Sequence, residues 1–320
     1  MGNYFSSDTT TIRKYGCKKD KEDKRDFYHN FSISDNHESI RRIDLSSKCP
    51  PVFDQGDLGS CTANAISAVY KFDEIKEGEG EQDKITPSRL FIYYNERSIE
   101  GNVNEDTGAS VRDGIKSINR IGVCSESMWP YDISKFAEKP PEECFKNATC
   151  HKAVEYKRVQ QILNQLKQCL IEGFPMVFGF TVYQSFEGPE IQQTGVMPMP
   201  QTGEKILGLH CCYIIGFDDD KKAFLVRNSW GESWGPLKGN FWMPYDFAVN
   251  SDYCSDFWTI KRVVDSHENN QKFVYPKKTL KNRNNKKNRK NKKNNRRNAY
   301  SDEYEQKGNR FDLLNTMESE

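Results

Sequence analysis

Residues 54–61 read DQGDLGSC, a glycine-rich loop that leads into a helical pattern beginning at Cys61. Apolar residues then recur at helical spacing to about Ile75, namely Ala65, Ile66, Val69, Tyr70 and Phe72. A cysteine in the first turn of a helix faces unpaired backbone N–H groups and the positive end of the helix dipole. Because both favour the thiolate over the thiol, Cys61 is predicted to be a catalytic nucleophile.

The pattern of the chain changes from helices to strands at about residue 175. Three further helices are predicted, one opening at Thr86-Pro87-Ser88, one over Val111–Asn119 and one over Val159–Glu172. The predicted strands are 176–182, 210–217, 223–228, 241–243 and 257–264, and the second and third form a hairpin. Helices first and strands second predict an α+β fold with two lobes.

The base that serves Cys61 is predicted to be His210. The five histidines of the chain are His29, His37, His151, His210 and His267. Only His210 begins a strong strand of the folded body, and the partner strand of its hairpin ends at Asn228. An Asn side chain can accept a hydrogen bond from one ring nitrogen and so aim the other at the sulfur. Trp230 follows closely and is expected to shield that hydrogen bond from water.

A nucleophilic cysteine also needs donors for the oxyanion that forms when it attacks a carbonyl group. The backbone N–H of Cys61 is one candidate, and the side-chain amide of Gln55, a short loop upstream, is the second. Cys211 and Cys212 directly follow the predicted base, and they are interpreted as packing residues on alternate faces of a strand.

These motifs together resemble the papain and cathepsin family of cysteine peptidases, in particular its bacterial and giant-virus branch. The matching elements are Gln55-Gly56, Gly59-Ser60-Cys61, His210, Asn228-Ser229-Trp230-Gly231 and Trp234-Gly235. His210 lies 149 residues after Cys61, a separation that is typical of the family. The resemblance covers about residues 44–264. It implies a papain-like two-lobe fold, with a helical lobe (44–155) bearing the nucleophile and an antiparallel, β-barrel-like lobe (156–264) bearing the base.

The resemblance implies a cysteine endopeptidase that hydrolyses peptide bonds through an acyl-thioester on Cys61. His210, Asn228 and Gln55 complete the predicted catalytic set, and Gly108 and Trp234 are the predicted substrate-binding residues. No adjacent histidines occur between residues 132 and 154, so the dipeptide-trimming loop of cathepsin B is not evident. Protein or peptide substrates, a monomer and no cofactor are expected. The cysteine spacing also lacks the paired pattern of a zinc site, so no metal is expected.

The sequence departs from the family pattern at three places. Leu58 stands where the family has its first cysteine, and Thr62 replaces the usual aromatic residue after the nucleophile. The segment 106–110 stands near the place of a second family cysteine and its paired glycines. Both halves of one expected disulfide are therefore missing together, which fits a reducing compartment.

The first 43 residues are predicted to form an N-terminal arm with the role of a propeptide. The hypothesis is that Tyr15 to Phe31 lies along the surface or cleft and hinders substrate until it is cleaved; the alternative is a solvated charged arm. The start Met1-Gly2-Asn3-Tyr4-Phe5-Ser6 fits the pattern for N-myristoylation at Gly2. Neither a signal peptide nor a membrane-spanning segment is seen, which favours a cytoplasmic or virion-associated protein.

Residues 265–320 are predicted to be a disordered tail, basic and then acidic. From Lys277 to Tyr300 there are twelve Lys or Arg and no acid, and the cations lie within 277–297. Such a segment binds polyanions without sequence specificity, so contact with nucleic acid or anionic lipid is expected.

Two other functions remain open at this point. One is a catalytically inactive family member that binds peptides, or binds nucleic acid through its tail. The other is the same cysteine chemistry with a different acceptor, such as transamidation.

Overall fold

The computed structural model describes residues 13–23, 26, 28–29, 39–77 and 85–265. The helices are α1 (Cys61–Glu77), α2 (Arg89–Glu100), α3 (Val111–Arg120), α4 (Glu142–Ala148), α5 (Leu163–Ile171), α6 (Pro189–Thr194) and α7 (Tyr245–Val249). The first five strands are β1 (Cys17–Lys18), β2 (Tyr28–His29), β3 (Arg42–Asp44), β4 (Ala109–Ser110) and β5 (His151–Val159). The remaining strands are β6 (Met176–Tyr183), β7 (Ile206–Asp218), β8 (Ala223–Arg227), β9 (Asn240–Pro244) and β10 (Cys254–Asp265).

The main sheet is centred on the long strand β7. Its strands run in the order β2-β5-β10-β6-β7-β8-β9, and β3 pairs with β7 beside them. All of these pairings are antiparallel except β2 with β5. The β7–β8 pairing is the predicted hairpin, and it places His210, in the first half of β7, close to Asn228, the residue after β8.

The sheet separates two hydrophobic clusters because successive side chains of a strand point to opposite faces. On β7, Cys211 and Ile215 belong to the cluster that also contains the apolar faces of α1, α2 and α3. Cys212 and Ile214, on the other face, belong to a cluster built from the strands and α5. The α+β, two-lobe architecture predicted from the sequence is therefore the architecture of the protein.

Most predicted elements are confirmed within a few residues, and one is wrong at its start. The helix expected over Val159–Glu172 begins only at Leu163, because Val159 is the last residue of β5. Ile162, which precedes that helix, has an extended backbone with φ of −127°. The strand containing His210 begins at Ile206, four residues earlier than predicted.

Several predicted domain boundaries fall inside strands. The boundary after residue 43 lies within β3, and the boundary after residue 155 lies within β5. The arm also contributes β1, which pairs with β4, and β2, which pairs with β5. The four-part division stays a prediction, and its tail, from residue 266 on, lies outside the described residues, as does Gly2.

Candidate active site

The loop before α1 places Cys61 at the first residue of that helix, as predicted. The chain turns sharply there: Gly56 has φ of +57°, and the backbone N–H of Ser60 donates to the Leu58 carbonyl at 2.8 Å. The first turn of α1 contains no acidic residue, so no carboxylate on that turn offsets the positive end of the helix dipole. Cys61 is fully buried.

The β7–β8 hairpin places His210 beside Asn228. Asn228 Oδ1 lies 2.8 Å from His210 Nε2. The same oxygen accepts from the backbone N–H of Ser229 at 2.8 Å and from the thiol of Cys212 at 3.4 Å. Three donors around one oxygen indicate the tautomer in which the imidazole carries its proton on Nε2. Within the described residues, His210 Nδ1 is buried without a hydrogen-bond partner, so its lone pair is available to take a proton.

Aromatic rings enclose the imidazole of His210. The ring of Trp230 stacks on it with centroids 5.0 Å apart, and Phe180 and Tyr15 present edges at 5.6 and 5.8 Å. Burial lowers the pKa of His210 to about 4, although the hydrogen bond to Asn228 acts in the opposite direction. The imidazole is therefore neutral near pH 7 while these rings cover it.

The side-chain amide of Gln55 is fully buried and its orientation is fixed. Ser229 Oγ donates to Gln55 Oε1 at 2.7 Å, which leaves Nε2 to donate on the other side. Gln55 Nε2 donates to the Leu58 carbonyl at 3.0 Å and to the Lys14 carbonyl at 3.1 Å. Because Ser229 also bonds to Asn228, a continuous set of hydrogen bonds joins the predicted oxyanion donor to the predicted base.

The Cys61 thiol lies between the two lobes and is neutral in this arrangement. Burial raises the pKa of Cys61, and the nearby Cys17 thiol raises it further; hydrogen bonds from the backbone N–H groups of Gly16 and Cys211 act in the opposite direction. Since Cys211 is the residue after His210, the sulfur reaches the strand that carries the base. Among the described residues, no hydrogen bond joins it to the imidazole, whose Nδ1 is without a partner. Direct pairing of the two groups therefore stays a prediction.

The arm segment 13–18 crosses the cleft in front of Cys61. The Gly16 carbonyl accepts from the backbone N–H of Ala109 at 2.8 Å, and β1 runs parallel to β4 from there. The fit around Gly16 is tight, because a Cβ at this position would lie 1.7 Å from the carbonyl oxygen of Gly59. Only glycine can pass this point without displacing the main chain.

The arm extends to both sides of Cys61. On one side Tyr15 lies 6.1 Å from Trp230 between ring centroids. On the other side Lys18 forms an ion pair with Glu100 on α2. A peptide segment with residues on both sides of the nucleophile therefore fits this cleft.

Acidic side chains of the arm anchor it to two arginines of the body. Arg158 Nη1 lies 3.4 Å from Asp20 and 2.9 Å from Asp26, and Arg112 also pairs with Asp26. The indole N–H of Trp258 donates to Asp20 at 2.9 Å. The side chains of Asp20 and Arg112 are 0% and 5% exposed, so these ion pairs are shielded from water and from salt.

A second carboxylate of the body faces the same arginine. Asp256 pairs with Arg158 and accepts from the backbone N–H of Asp20 at 2.9 Å. Burial raises the pKa of Asp20 to about 6, and the negative charge of Asp256 contributes to this. The anchor of the arm is therefore sensitive to protonation in the mildly acidic range.

The two predicted substrate-binding residues differ in their surroundings. Gly108 lines the cleft with φ of +69°, and a Cβ there would lie 1.9 Å from the Gly16 carbonyl oxygen. Trp234 is 6% exposed and packs edge-on against Trp230, with centroids 5.2 Å apart. Substrate contact by Trp234 stays a prediction, and the structure gives it a packing role behind the Trp230 ring.

Sequence reasoning missed three contributors to the site. The structure adds Ser229, which fixes the Gln55 amide, and Cys212, which donates to Asn228. Ser229 follows Asn228 in the Asn-Ser-Trp-Gly motif, so its place at the site could have been predicted from the sequence. Cys17 gave no signal, because its position in the cleft depends on the path of the arm.

Within the described residues, no group of three or more His, Cys, Asp or Glu side chains is arranged to hold a metal ion. No helix of the described part of the chain is long and apolar enough to cross a bilayer.

Comparison with known proteins gives a consistent picture. A family model described as papain family cysteine protease matches residues 39–256. An uncharacterised peptidase C1-like protein of Acanthamoeba polyphaga mimivirus is 41% identical over 288 residues, which are 82% of this chain and 92% of that protein. Cysteine proteinase 1 of Entamoeba histolytica is 27% identical over 194 residues, 59% of this chain and 58% of that protein.

Solved structures agree with the sequence comparison. Xylellain, a cysteine protease from Xylella fastidiosa, is similar with a TM-score of 0.70 and 40% identity, covering 78% of this chain and 97% of that one. A digestive procathepsin L of Tenebrio molitor larvae has a TM-score of 0.56 at 16% identity, covering 77% and 75%, and shares the fold.

Proposed function

The chain belongs to the papain family of cysteine proteases, and from this premise we propose a cysteine endopeptidase with Cys61 as nucleophile, His210 as base and Asn228 as the residue that orients the imidazole. Cysteine peptidase activity on protein or peptide substrates follows from family membership. The roles of individual residues and the cleavage of internal bonds are the proposed part.

One observation carries the assignment of the site. Gln55 Nε2 donates to a peptide carbonyl oxygen, that of Lys14, in a segment whose next residues contact Cys61. The cleft therefore already holds a peptide carbonyl against the amide that is proposed to stabilise an oxyanion. Ser229 fixes the amide in the orientation that this interaction needs.

The first chemical step is attack of the Cys61 sulfur on the carbonyl carbon of the scissile bond. The thiol proton moves to His210 Nδ1, and the carbonyl electron pair moves to the oxygen, which Gln55 Nε2 and the Cys61 backbone N–H stabilise. When the carbonyl re-forms, the C–N bond breaks and the imidazolium donates its proton to the leaving amine. The acyl group remains on sulfur as a thioester.

Hydrolysis of the thioester completes the cycle. His210 removes a proton from water, which attacks the thioester carbonyl, and the sulfur leaves and regains a proton. Asn228 keeps the ring in the same tautomer through both steps, because its oxygen accepts from Nε2–H. Trp230, stacked on the ring, protects that hydrogen bond from water.

The path of the arm supports cleavage of internal bonds. It passes Cys61 with residues on both sides, so an extended chain fits without ending at the nucleophile. An exopeptidase needs a group that closes one end of the cleft and binds a chain terminus.

The test is digestion of a peptide library blocked at both termini, with product mapping by mass spectrometry. Internal cleavage by the wild type and none by Cys61→Ala supports an endopeptidase. Cleavage confined to a matched library with free termini contradicts it. An added amine separates hydrolysis from transamidation, since transamidation yields amide products.

The arm is proposed to keep the full-length protein latent. The Lys14 carbonyl of the arm accepts a hydrogen bond from the Gln55 amide, and Gly16 fills the space beside Cys61. Substrate therefore enters only after the arm has moved or has been cleaved. Weakening the anchor of the arm tests this, as described in the Discussion.

The basic segment 277–297 is proposed to bind nucleic acid or anionic lipid, on its charge alone. It lies outside the described residues. Unchanged DNA binding at low salt after deletion of 277–297 would remove this proposal.

A further inference from the structure

Three cysteine thiols meet where the arm crosses the cleft. They are Cys17 on the arm, Cys61 at the start of α1 and Cys211 on β7, and all three are buried free thiols of one hydrophobic cluster. Two of them belong to the body, whereas Cys17 arrives with the arm. The catalytic site thus has a second sulfur that is present only when the arm is docked.

The contacts of the arm place Cys17 close to both body thiols. A Cβ at Gly179 would lie 3.0 Å from Cys17 Sγ, and Gly179 pairs with Cys211 across the β6–β7 register. Besides burial, the Cys17 thiol raises the pKa of both body thiols, which agrees with this placement. The residue before Cys17, Gly16, donates its backbone N–H to the Cys61 sulfur. The three sulfur atoms therefore lie close to one another where the arm crosses the cleft.

The two body thiols differ in reactivity once the arm has lifted. Cys61 is the first residue of α1, where the positive end of the helix dipole stabilises a thiolate that can attack a peroxide. Cys211 lies within β7, where no helix N-terminus stabilises a thiolate. Oxidation therefore begins at Cys61, and it begins in the uncovered state, because the docked arm keeps that thiol neutral and away from solvent.

We propose that Cys17 is the resolving thiol of Cys61, so that oxidation locks the arm across the cleft through a Cys17–Cys61 disulfide. The inference rests on the proposed function, because it takes Cys61 as the nucleophile. Cys17 then has a chemical role that the peptidase mechanism does not use.

The reaction balances with a hydroperoxide as oxidant. The Cys61 thiolate attacks one peroxide oxygen, the O–O bond breaks, and the products are a sulfenic acid on Cys61 and an alcohol, or water from hydrogen peroxide. When the arm docks again, the Cys17 sulfur attacks the Cys61 sulfur, the S–O bond breaks and water leaves. A dithiol later reduces the disulfide, is itself oxidised to a cyclic disulfide, and restores both thiols.

The disulfide protects the nucleophile from loss. A sulfenic acid without a resolving thiol proceeds to sulfinic acid, which dithiols do not reduce. A disulfide also needs Cα atoms about 4.4–6.8 Å apart, so the arm has to adjust locally. The β1–β4 hydrogen bonds and the ion pair of Lys18 with Glu100 can re-form after such a movement.

The experiment uses the full-length protein, fully reduced and then treated with a small excess of hydrogen peroxide. Non-reducing digestion and mass spectrometry are expected to find a peptide joining Cys17 to Cys61. Dithiothreitol is expected to return most of the activity to the wild type, measured against its own reduced state. Cys17→Ser is expected to recover at least tenfold less of its own reduced activity and to carry sulfinic acid on Cys61.

Two matched variants complete the design. Cys49→Ser, which changes a thiol outside the cleft, and Cys211→Ser are both expected to form the Cys17–Cys61 peptide and to recover as the wild type does. Equal recovery of wild type and Cys17→Ser overturns the proposal, as does a bridge from Cys17 to Cys211 alone. The disulfide is mapped by mass spectrometry and needs no activity measurement. A reduced protein that is inactive therefore refutes the proposed function, whether or not the disulfide forms.

Discussion

The two sides of the cleft differ in how far their proposed catalytic groups are free to react while the arm is docked. On the β side, His210 is held by Asn228 and by stacked rings, and its reactive nitrogen faces no competing donor among the described residues. On the helical side, the Cys61 sulfur is in contact with the backbone of the arm. The proposed base is therefore in place before substrate arrives, whereas the proposed nucleophile is covered while the arm is docked.

The interactions that hold His210 and those that hold the arm show the same contrast. Trp230 and Phe180, which flank His210, belong to a hydrophobic cluster of the body, and the third ring, that of Tyr15, comes with the arm. The arm is held mainly by hydrogen bonds and by ion pairs to Arg112 and Arg158. Apolar packing gives a permanent structure, whereas polar contacts can be exchanged for water or for another peptide.

The largest effect is expected from removing the prepared base. His210→Ala should lower kcat by about 10³-fold or more, because the thiol then has no group to accept its proton. The measurement is peptide hydrolysis with circular dichroism as a check of folding. Phe180→Leu, which changes a ring at the edge of the imidazole, serves as the matched control. A loss for His210→Ala no greater than that of the control would mean that His210 is not the base.

A smaller effect is expected when the base stays but loses its orientation. Asn228→Ala should lower kcat by about 10- to 100-fold with little change in KM, since the ring can then adopt the other tautomer. Cys212→Ala removes a weaker donor to the same oxygen and should cost much less. If Asn228→Ala raises KM and leaves kcat unchanged, Asn228 binds substrate instead of orienting the ring.

The helical side should respond to the anchor of the arm. Arg158→Gln breaks the ion pairs to Asp20 and Asp26. Initial hydrolysis by the whole chain is expected to become about tenfold faster, because the arm then docks more weakly by about 1.4 kcal/mol. Arg120→Gln, on the exposed end of α3, is the matched control. Unchanged rates in Arg158→Gln would show that the docked arm does not limit activity.

The smallest effect concerns pH. Burial lowers the pKa of His210 to about 4, and the docked arm contributes to this through the ring of Tyr15 and the charge of Arg13, so this group makes docking weaker as pH falls towards 4. Docking raises the pKa of Asp20 from 3.8 to about 6, so this group makes docking stronger over nearly the same window. The two effects oppose each other, so docking of the wild-type arm should change less between pH 4 and 6.5 than the Asp20 effect alone would produce.

Asp20→Asn leaves the His210 effect alone, so its arm should dock less well as pH falls, by about two- to fivefold in population. Hydrogen exchange of residues 16–20, corrected for intrinsic rates, measures this directly. Asp252→Asn, an exposed carboxylate, should behave as the wild type does. Identical pH profiles for Asp20→Asn and the wild type would show that Asp20 does not take up a proton on docking.

The sequence predicted the fold and the neighbourhood of the site because both depend on local patterns. The helical run after Cys61 and the hairpin before Asn228 each lie within a few tens of residues, and both are confirmed. Strand β5 was missed because only part of its apolar pattern alternates and its partner, β10, lies about a hundred residues away.

The arm shows where sequence reasoning ends. Its charged residues predicted an arm, but its path through the cleft depends on Gly16 fitting against Gly59 and on Asp20 meeting Arg158. These contacts join residues that are distant in sequence and carry no periodic signal. The neutral thiol of Cys61 follows from that path, so it could not be read from the helix N-terminus alone.

The narrow passage at Gly16 also sets a rule for inhibitor chemistry. A synthetic peptide copied from the arm must keep an unsubstituted glycine opposite Gly59, since even a methyl group collides with the main chain there. Variation belongs at the flanking positions, where the side chains of Lys14 and Lys18 are 50% and 35% exposed. A ligand built on this template would gain selectivity from its fit to the narrow space beside Gly59, without a covalently reactive group.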